Sequence, residues 1–580
     1  MRKINYIDLP SMEAAKRRNK ETPKINYDFL PNEELLTQLK GKKFLIRTYG
    51  CQANIRDEEI MSGILISLGL VATTIKQEAD VTILNTCAVR ENAEDKVYGE
   101  IGEYKAIREK NKNSILLVCG CMVEQRHIID FLCSTFPHVD IMFGTHNTQD
   151  LGKLLSFYLA NNGKERIVDV SSKSGEIYEN LPSKRQNDFK AFVNISYGCN
   201  KFCTYCIVPY TRGKERSRDP EDILKECKEL VEAGYQEITL LGQNVDSYGK
   251  DRSDGYSFAK LLEEVAKLGM PRLRYLTSYP SDFKDDVIDV IAKYSNIMKF
   301  IHLPVQSGSN EILHLMNRRY TSEEYLELVG RIREKIPQMA FSTDIIVGFP
   351  NENYEQFLET VKLVEEVGYT SAFTFIYSPR KGTPAANMVD NVTHEEKIKR
   401  FQQLLDILEI SVKKYADEMV GKVYEVLVDG PSKKNPEVLS GTTENMKTVI
   451  FNGDKSLIGK IVKIKITESH VYSMYGELVK NEFDSLINNL KKDLIKEPVV
   501  QEYLRLKNVV DNSEELHRLE MEIKYIKKCE MSDEEITEYN TLLKKYNENP
   551  IIVNYLSAQK EMHDFLNELK EEFDKWFFVF

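Results

Sequence analysis

Cys199, Cys203 and Cys206 fall at spacings of four and three in the single stretch Cys199-Asn200-Lys201-Phe202-Cys203-Thr204-Tyr205-Cys206. Structural zinc takes four ligands, and iron–sulfur clusters are normally held by four cysteines. Three thiolates from one loop leave one metal corner open. An open iron can bind a substrate or cofactor as a Lewis acid, whereas a closed cluster only passes electrons, so the stretch reads as catalytic. On spacing alone the alternatives are a zinc site completed by a distant ligand, or three unrelated buried cysteines.

A second set of three is dispersed along the chain. The apolar runs 44–48, 81–86 and 114–119 each pass at the carboxyl end into a cysteine: Cys51, Cys87 and Cys121. A helix is expected from Asp57-Glu58-Glu59 to Leu70 after the first run, and another from near Glu91 after the second. In a parallel α/β sheet the carboxyl ends of the strands share one edge, where ligands sit, so these three cysteines can converge. The alternative is three core cysteines. Cys119, inside its strand, is assigned to the core, and Cys133, Cys227 and Cys529 stand alone as packing residues.

These sites need a frame. At 580 residues the chain is too long for one core and is expected to form several domains. No apolar run of membrane length and no signal peptide stands at its start, so a cytoplasmic protein is expected. Ten cysteines without an export signal argue for metal ligation over disulfides. The net charge of -11 is unevenly spread: residues 481–580 hold 22 acidic and 14 basic residues, or -8, leaving -3 for all that precedes. The charge therefore does not exclude a nucleic-acid partner for the first 480 residues.

Between 189 and about 377, strand and helix patterns alternate six times, with strands at 191–195, 237–241, 272–277, 299–303, 340–347 and 371–376. Six such units make a partial (β/α) barrel, whose chemistry belongs at the strand carboxyl ends. The three-cysteine loop lies just past the first strand. Leu241-Gly242-Gln243-Asn244, Ser278, Gln306-Ser307-Gly308 and Gly348-Phe349-Pro350 follow later strands and line the same rim. Taken singly, each of these is also an ordinary turn.

The first loop has the spacing of the radical S-adenosylmethionine (SAM) superfamily, with Tyr205 matching the aromatic before the last cysteine. Thr48-Tyr49-Gly50-Cys51-Gln52-Ala53-Asn54, Asn85-Thr86-Cys87-Ala88-Val89-Arg90-Glu91-Asn92-Ala93, Cys119-Gly120-Cys121-Met122 and Phe143-Gly144-Thr145-His146-Asn147 resemble the methylthiotransferases. Within that family they resemble the members that act on isopentenyladenosine in tRNA. The resemblance covers about 43–480. It implies a four-iron cluster on Cys199, Cys203 and Cys206 that chelates SAM and cleaves it to a 5′-deoxyadenosyl radical. It also implies SAM contacts from Tyr205, Gly242, Gln243, Asn244, Ser278, Gln306 and Gly348. A second four-iron cluster on Cys51, Cys87 and Cys121 would hold the sulfur that a first SAM methylates. The electron donor and the sulfur donor are partners whose identity the sequence does not carry.

Residues 416–480 turn strand-rich and resemble a TRAM domain, a small RNA-binding β-barrel. With 9 basic and 9 acidic residues its overall charge shows no preference for phosphate. Lys463 and Lys465 alternate along one strand, so both point to one face, which suits either RNA binding or a solvated edge. From 481 onward the sequence is helical. Pro498-Val499-Val500-Gln501-Glu502-Tyr503-Leu504 recurs as Pro550-Ile551-Ile552-Val553-Asn554-Tyr555-Leu556, which suggests two related hairpins. This tail departs from the methylthiotransferase pattern and resembles the helical YlbF family. It could dock a protein partner or self-associate.

The expected architecture is therefore a multidomain α/β chain: an arm at 1–42, a parallel α/β domain at 43–161, a polar linker at 162–188, the radical SAM barrel at 189–415, the TRAM barrel at 416–480 and an all-α extension at 481–580. The expected reaction is methylthiolation of N6-isopentenyladenosine at position 37 of tRNA. The alternatives are the same chemistry on threonylcarbamoyladenosine tRNA or on a ribosomal-protein aspartate, and a non-catalytic iron–sulfur RNA-binding protein.

Overall fold

The strands that lead to Cys51, Cys87 and Cys121 are neighbours. Lys43–Thr48, Val81–Thr86 and Ile115–Gly120 lie side by side in a seven-stranded sheet whose ladders are all parallel. Val81–Thr86 and Ile115–Gly120 are buried at every position. Their residues alternate between two cores, Ile83 and Leu117 on one face and Leu84, Leu116 and Val118 on the other, as a parallel sheet covered on both faces requires. The computed structural model describes residues 2–16, 22–31, 33–88, 91–172, 176–479, 482–526 and 533–577. It divides into the units Met1–Leu478 and Val479–Phe580. Cys529 lies outside the described residues.

The segment expected as a loose arm is tied down instead. Lys3–Asp8 forms an edge strand beside Glu165–Asp169, and Lys24–Asn26 pairs with Ile177–Glu179 in the segment expected as a plain linker. Prolines at 10, 23 and 31 break this region into short pieces, too short to show a period. What holds them is backbone pairing together with the Arg2–Asp140 ion pair at 2.6 Å.

Lys190–Asn194, Glu237–Leu241 and Arg272–Leu276 form one parallel sheet, and Phe300–His302, Ala340–Val347 and Ser371–Ile376 form another. A bridge between Leu273 and Ile297, and a bond from the Ser278 amide to the His302 carbonyl at 3.2 Å, join the two. Six parallel strands thus follow one another in chain order. The helix Ser322–Lys335 starts on a reciprocal capping box between Thr321 and Glu324.

Val423–Pro431, Leu439–Thr443, Thr448–Phe451, Met474–Leu478 and Ile461–Ser469 close into a five-stranded barrel. Leu439–Thr443 was not legible as a strand, since LSGTT holds a single large apolar residue. The barrel docks on the amino-terminal ends of the SAM-domain strands. Arg272 donates to the carbonyls of Thr442 and Glu425 at 2.7 Å, and Lys447 donates to the carbonyl of Thr370 at 2.8 Å.

Among the described residues of Val479–Phe580 the elements are all helices, Glu482–Leu494, Pro498–Asp511, Glu514–Ile526, Asp533–Asn547 and Pro550–Phe577. The two copies of the repeat meet each other: Tyr503 and Tyr555 stack with centroids 5.6 Å apart and planes 26° from parallel. The recurring proline opens both helices at the first helical position, where its missing amide costs nothing.

An ionic cluster locks the amino-terminal domain to the SAM domain. Arg56 and Glu59 come from the helix Gln52–Ser67, Glu179 and Arg185 from the connecting segment, and Arg218 and Glu226 from the SAM domain. Glu226 accepts from Arg56 at 3.0 Å, Arg185 at 2.6 Å and Arg218 at 2.8 Å. Arg218 is bidentate to Glu179 at 2.8 and 2.7 Å. None of these six side chains is more than 17% exposed. Burial pushes the Glu226 carboxyl up, but the guanidiniums of Arg218, Arg56 and Arg185 outweigh it and hold the group at about 2. Its contribution is complete above the ordinary carboxylate range and is lost as pH falls through about 2. Replacing Glu226 with alanine takes one carboxylate from three buried arginines, leaving Arg56 and Arg185 to share Glu59 and Arg218 on Glu179, and should cost about 3 kcal/mol in urea unfolding at neutral pH, with the difference from the parent shrinking in strong acid.

Candidate active site

The loop 199–206 makes no regular structure of its own and is clamped from outside. The Cys199 amide donates to the Gly213 carbonyl at 3.1 Å, the Thr204 amide to Met316 at 3.0 Å, and Asn317 Nδ2 to the Phe202 carbonyl at 2.9 Å. Gly198 precedes it at φ +71°, where a Cβ would lie 2.0 Å from the Lys214 carbonyl oxygen, so no other residue fits that turn. The three thiols are close enough to act on one another electrostatically. Burial pushes Cys199 up to about 12, with Cys203 adding, and pushes Cys206 up with Cys203 and Cys199 adding. A buried guanidinium, Arg318, reaches the Cys203 Sγ at 3.6 Å.

The second triad forms at the carboxyl edge of the seven-stranded sheet. The Cys121 amide donates to the Thr86 carbonyl at 2.9 Å, which seats Cys121 beside Cys87. A Cβ on Gly50 would stand 3.1 Å from that of Cys87, so the Cys51 loop closes over it. The helix after the first strand starts at Gln52, not at Asp57, with Cys51 as its N-cap. The acidic run therefore falls in the second turn, where Asp57 is buried against Arg212 at 2.8 Å and no longer marks a helix start. Two buried asparagines brace the strand ends: Asn54 donates to the Thr86 carbonyl at 3.0 Å, and Asn85 donates to the Asn54 carbonyl at 2.8 Å. Burial pushes the Cys121 thiol up to about 12, opposed by Arg212 and reinforced by Cys87 and Cys51.

Arg212 belongs to the SAM domain, yet its side chain enters the second triad, with Nε 3.3 Å from the Cys121 Sγ. Around it the Phe143-Gly144-Thr145-His146-Asn147 motif joins the two domains. Thr145 Oγ1 lies 2.7 Å from the Thr211 carbonyl and 3.0 Å from Glu124 Oε1. Burial holds Glu124 up at about 8 and His146 down at about 3, so His146 is neutral at physiological pH and Glu124 is displaced toward its protonated form. Sequence reasoning assigned no role to Arg212, Arg318, Asn54 or Asn85. The signal available for Arg212 was the crowded Arg212-Gly213-Lys214-Glu215-Arg216-Ser217-Arg218 run directly after the cysteine loop, every charge of which is buried.

Both triads suit an iron–sulfur cluster. Desolvated thiols crowded together resist ionisation, and a metal cation reverses this by binding the thiolates. Among the described residues no three Cys, His, Asp or Glu side chains converge on one point as a single metal ion requires. A four-iron cluster does not ask for that, because each thiolate binds a different iron. Cys119 stays in the core, 3.8 Å from the Met61 sulfur.

The rim carries unpaired polar atoms. Ser196 Oγ and Asn244 Oδ1 are buried without a hydrogen-bond partner, while Asn244 Nδ2 donates to Asp282 at 2.6 Å. A Cβ on Gly242 would lie 2.6 Å from Ser196 Oγ, and Gln243 is half-buried beside it. Thr277 and Gln306 turn through φ +73° at strand ends, a strain that clusters at functional sites, and Gly348 turns through φ +70° at no such cost. Ser278 is already bonded to Asp246 at 3.3 Å, and the Gly348 amide to Glu352 at 2.8 Å. Tyr205 packs against the barrel core and against the Phe349 cluster. Lys463 and Lys465 are exposed on one face of Ile461–Ser469, but Glu425 stands opposite the first and Glu477 opposite the second. That face is mixed in charge.

Residues 193–364 match the radical SAM superfamily, 43–144 the uncharacterized protein family UPF0004, 417–479 the TRAM domain, and 484–575 the control of competence regulator ComK family, YlbF/YmcA. The chain is 52% identical over 473 residues to the tRNA-2-methylthio-N(6)-dimethylallyladenosine synthase of Oceanobacillus iheyensis, covering 81% of this chain and 91% of that one. It is 53% identical to the protein of the same name from Anoxybacillus flavithermus, covering 82% of this chain and 90% of that one. The protein of that name from Bacillus mycoides is also 53% identical, at 82% and 93%. The chain belongs to the tRNA-2-methylthio-N(6)-dimethylallyladenosine synthases, a methylthiotransferase family of the radical SAM superfamily.

Proposed function

We propose that this chain methylthiolates N6-isopentenyladenosine at position 37 of tRNA. The observation that carries the reading is the pair of three-cysteine sites, each at a strand carboxyl edge and the second entered by Arg212 of the SAM domain, in a chain 52% identical to synthases of that name. The hydrogen to be replaced is bound to an aromatic carbon and is not acidic, which closes acid–base routes. When bound, four-iron clusters with one open iron and SAM supply the radical and methyl-transfer chemistry that such a replacement needs.

The chain's own residues hold and orient these groups. Cys199, Cys203 and Cys206 would ligate one cluster and Cys51, Cys87 and Cys121 the other. Gly242 leaves room at the rim, and the unpaired Ser196 Oγ and Asn244 Oδ1 offer acceptors for the SAM ammonium. Gln243, Gln306 and Tyr205 shape the same cavity wall. Ser278 and Gly348 act through turn geometry, since their polar atoms are already bonded. Lys463 and Lys465 would meet phosphate only where the RNA outcompetes the facing glutamates. The helical tail, carrying most of the net negative charge, is unsuited to the RNA path and better suited to a protein partner or a second copy.

Anaerobically reconstituted protein should bind about eight irons, and replacing Cys199, Cys203 and Cys206 with alanine should leave about half and abolish SAM cleavage. Zinc in place of iron, or unchanged iron in that variant, contradicts the assignment. With tRNA lacking the isopentenyl group, nucleoside analysis should find no methylthio product. Product on threonylcarbamoyl-tRNA alone would move the chain to a sister activity. A chain ending at Val479 should keep turnover on isopentenylated tRNA and lose only an oligomeric or partner contact, read by light scattering.

A further inference from the structure

Each cysteine site has one buried arginine touching one sulfur, and the two arginines differ in how their charge is met. Arg318 donates to the Pro304 carbonyl at 2.7 Å and to Tyr320 Oη at 2.8 Å, and stands 4.2 Å from the Tyr279 ring centroid and 3.6 Å from Cys203 Sγ. Among the described residues no carboxylate pairs with it. The nearby Asp282 is taken by Lys201 and Lys250, each at 2.5 Å, and by Asn244. Arg212 touches Cys121 at 3.3 Å, but Asp57 neutralises it at 2.8 Å. Both guanidiniums are under 9% exposed, and in such surroundings a charge acts strongly on its neighbours.

We propose that Arg318 and Arg212 are positioning residues that set the two centres to different reduction potentials. The unmatched charge of Arg318 favours the reduced form at the Cys199/Cys203/Cys206 site, while Arg212, offset by Asp57, leaves the Cys51/Cys87/Cys121 site harder to reduce. The step is one electron passed from a one-electron reductant to a cluster, with no bond made or broken and no proton moved. Its consequence is that the electron goes to the site that cleaves SAM and is kept from the site that holds sulfur. The inference rests on reading both triads as cluster sites, as proposed above.

The test is a redox titration with dithionite, monitored by electron paramagnetic resonance, on the anaerobically reconstituted full-length chain, with iron counted in the same samples. At a fixed potential, Arg318→Gln should lower the reduced fraction at the SAM site about tenfold, equivalent to about 59 mV for one electron, and Arg318→Lys should restore most of it. Asp57→Asn exposes the Arg212 charge and should raise the reduced fraction at the second site, again about tenfold. Arg212→Gln leaves Asp57 uncompensated and should lower the reduced fraction at that site. Full iron with unmoved potentials in Arg318→Gln and Asp57→Asn overturns the inference. If Arg318→Gln loses its iron, the Asp57→Asn result decides alone. Iron for fewer than two clusters in the parent chain counts against the proposed function itself.

Discussion

Three arginines and three glutamates, one of each from the amino-terminal domain, the connecting segment and the SAM domain, hold the two cysteine sites in one frame. Removing any member unbalances buried charge in a low-dielectric interior, and that cost exceeds what the intact pairs contribute. The cluster therefore acts less as a source of net stability than as a penalty on every other docking of the two sheets. Gly63 lies in the same seam, where a Cβ would stand 2.4 Å from the Pro182 backbone, so packing and charge specify one arrangement together.

Within that frame the parallel strands decide where chemistry sits. The second triad stands at the carboxyl edge of one sheet and the first just past the carboxyl end of another, and Arg212 crosses between them. The TRAM barrel, by contrast, is anchored through Arg272 and Lys447 to the amino-terminal ends of the SAM-domain strands. An RNA that touches both the barrel and the cysteine sites must span the length of those strands. A long substrate such as a tRNA meets that requirement where a free nucleoside does not.

The helical tail obeys a different logic. Among its described residues few side chains are buried: Leu506, Leu516, Leu519, Ile552 and Ala558 are the apolar ones below the surface, while Met521, Leu486, Val553 and Phe573 are about half exposed or more. The repeat brings Tyr503 and Tyr555 into contact, so the internal echo read in the sequence has a packing meaning, but it pairs the helix Pro498–Asp511 with Pro550–Phe577, a single helix where a second hairpin was expected. Among the described residues of the chain no helix is long and apolar enough to cross a membrane.

The six cysteines, the six strands of the SAM domain and the Thr321 capping box were legible in the sequence because each depends on local spacing: ligands counted along a loop, apolar runs of strand length, an N-cap three residues from its glutamate. The edge strand Lys3–Asp8, the barrel strand Leu439–Thr443 and the start of the helix at Gln52 were not, because they draw on partners far along the chain. The same holds for the roles of Arg212 and Arg318. A lone arginine in a sequence states a charge and nothing of its surroundings. Only the fold decides that Asp57 stands beside one and, among the described residues, no carboxylate beside the other, since that depends on side chains more than 100 residues apart being buried against each other.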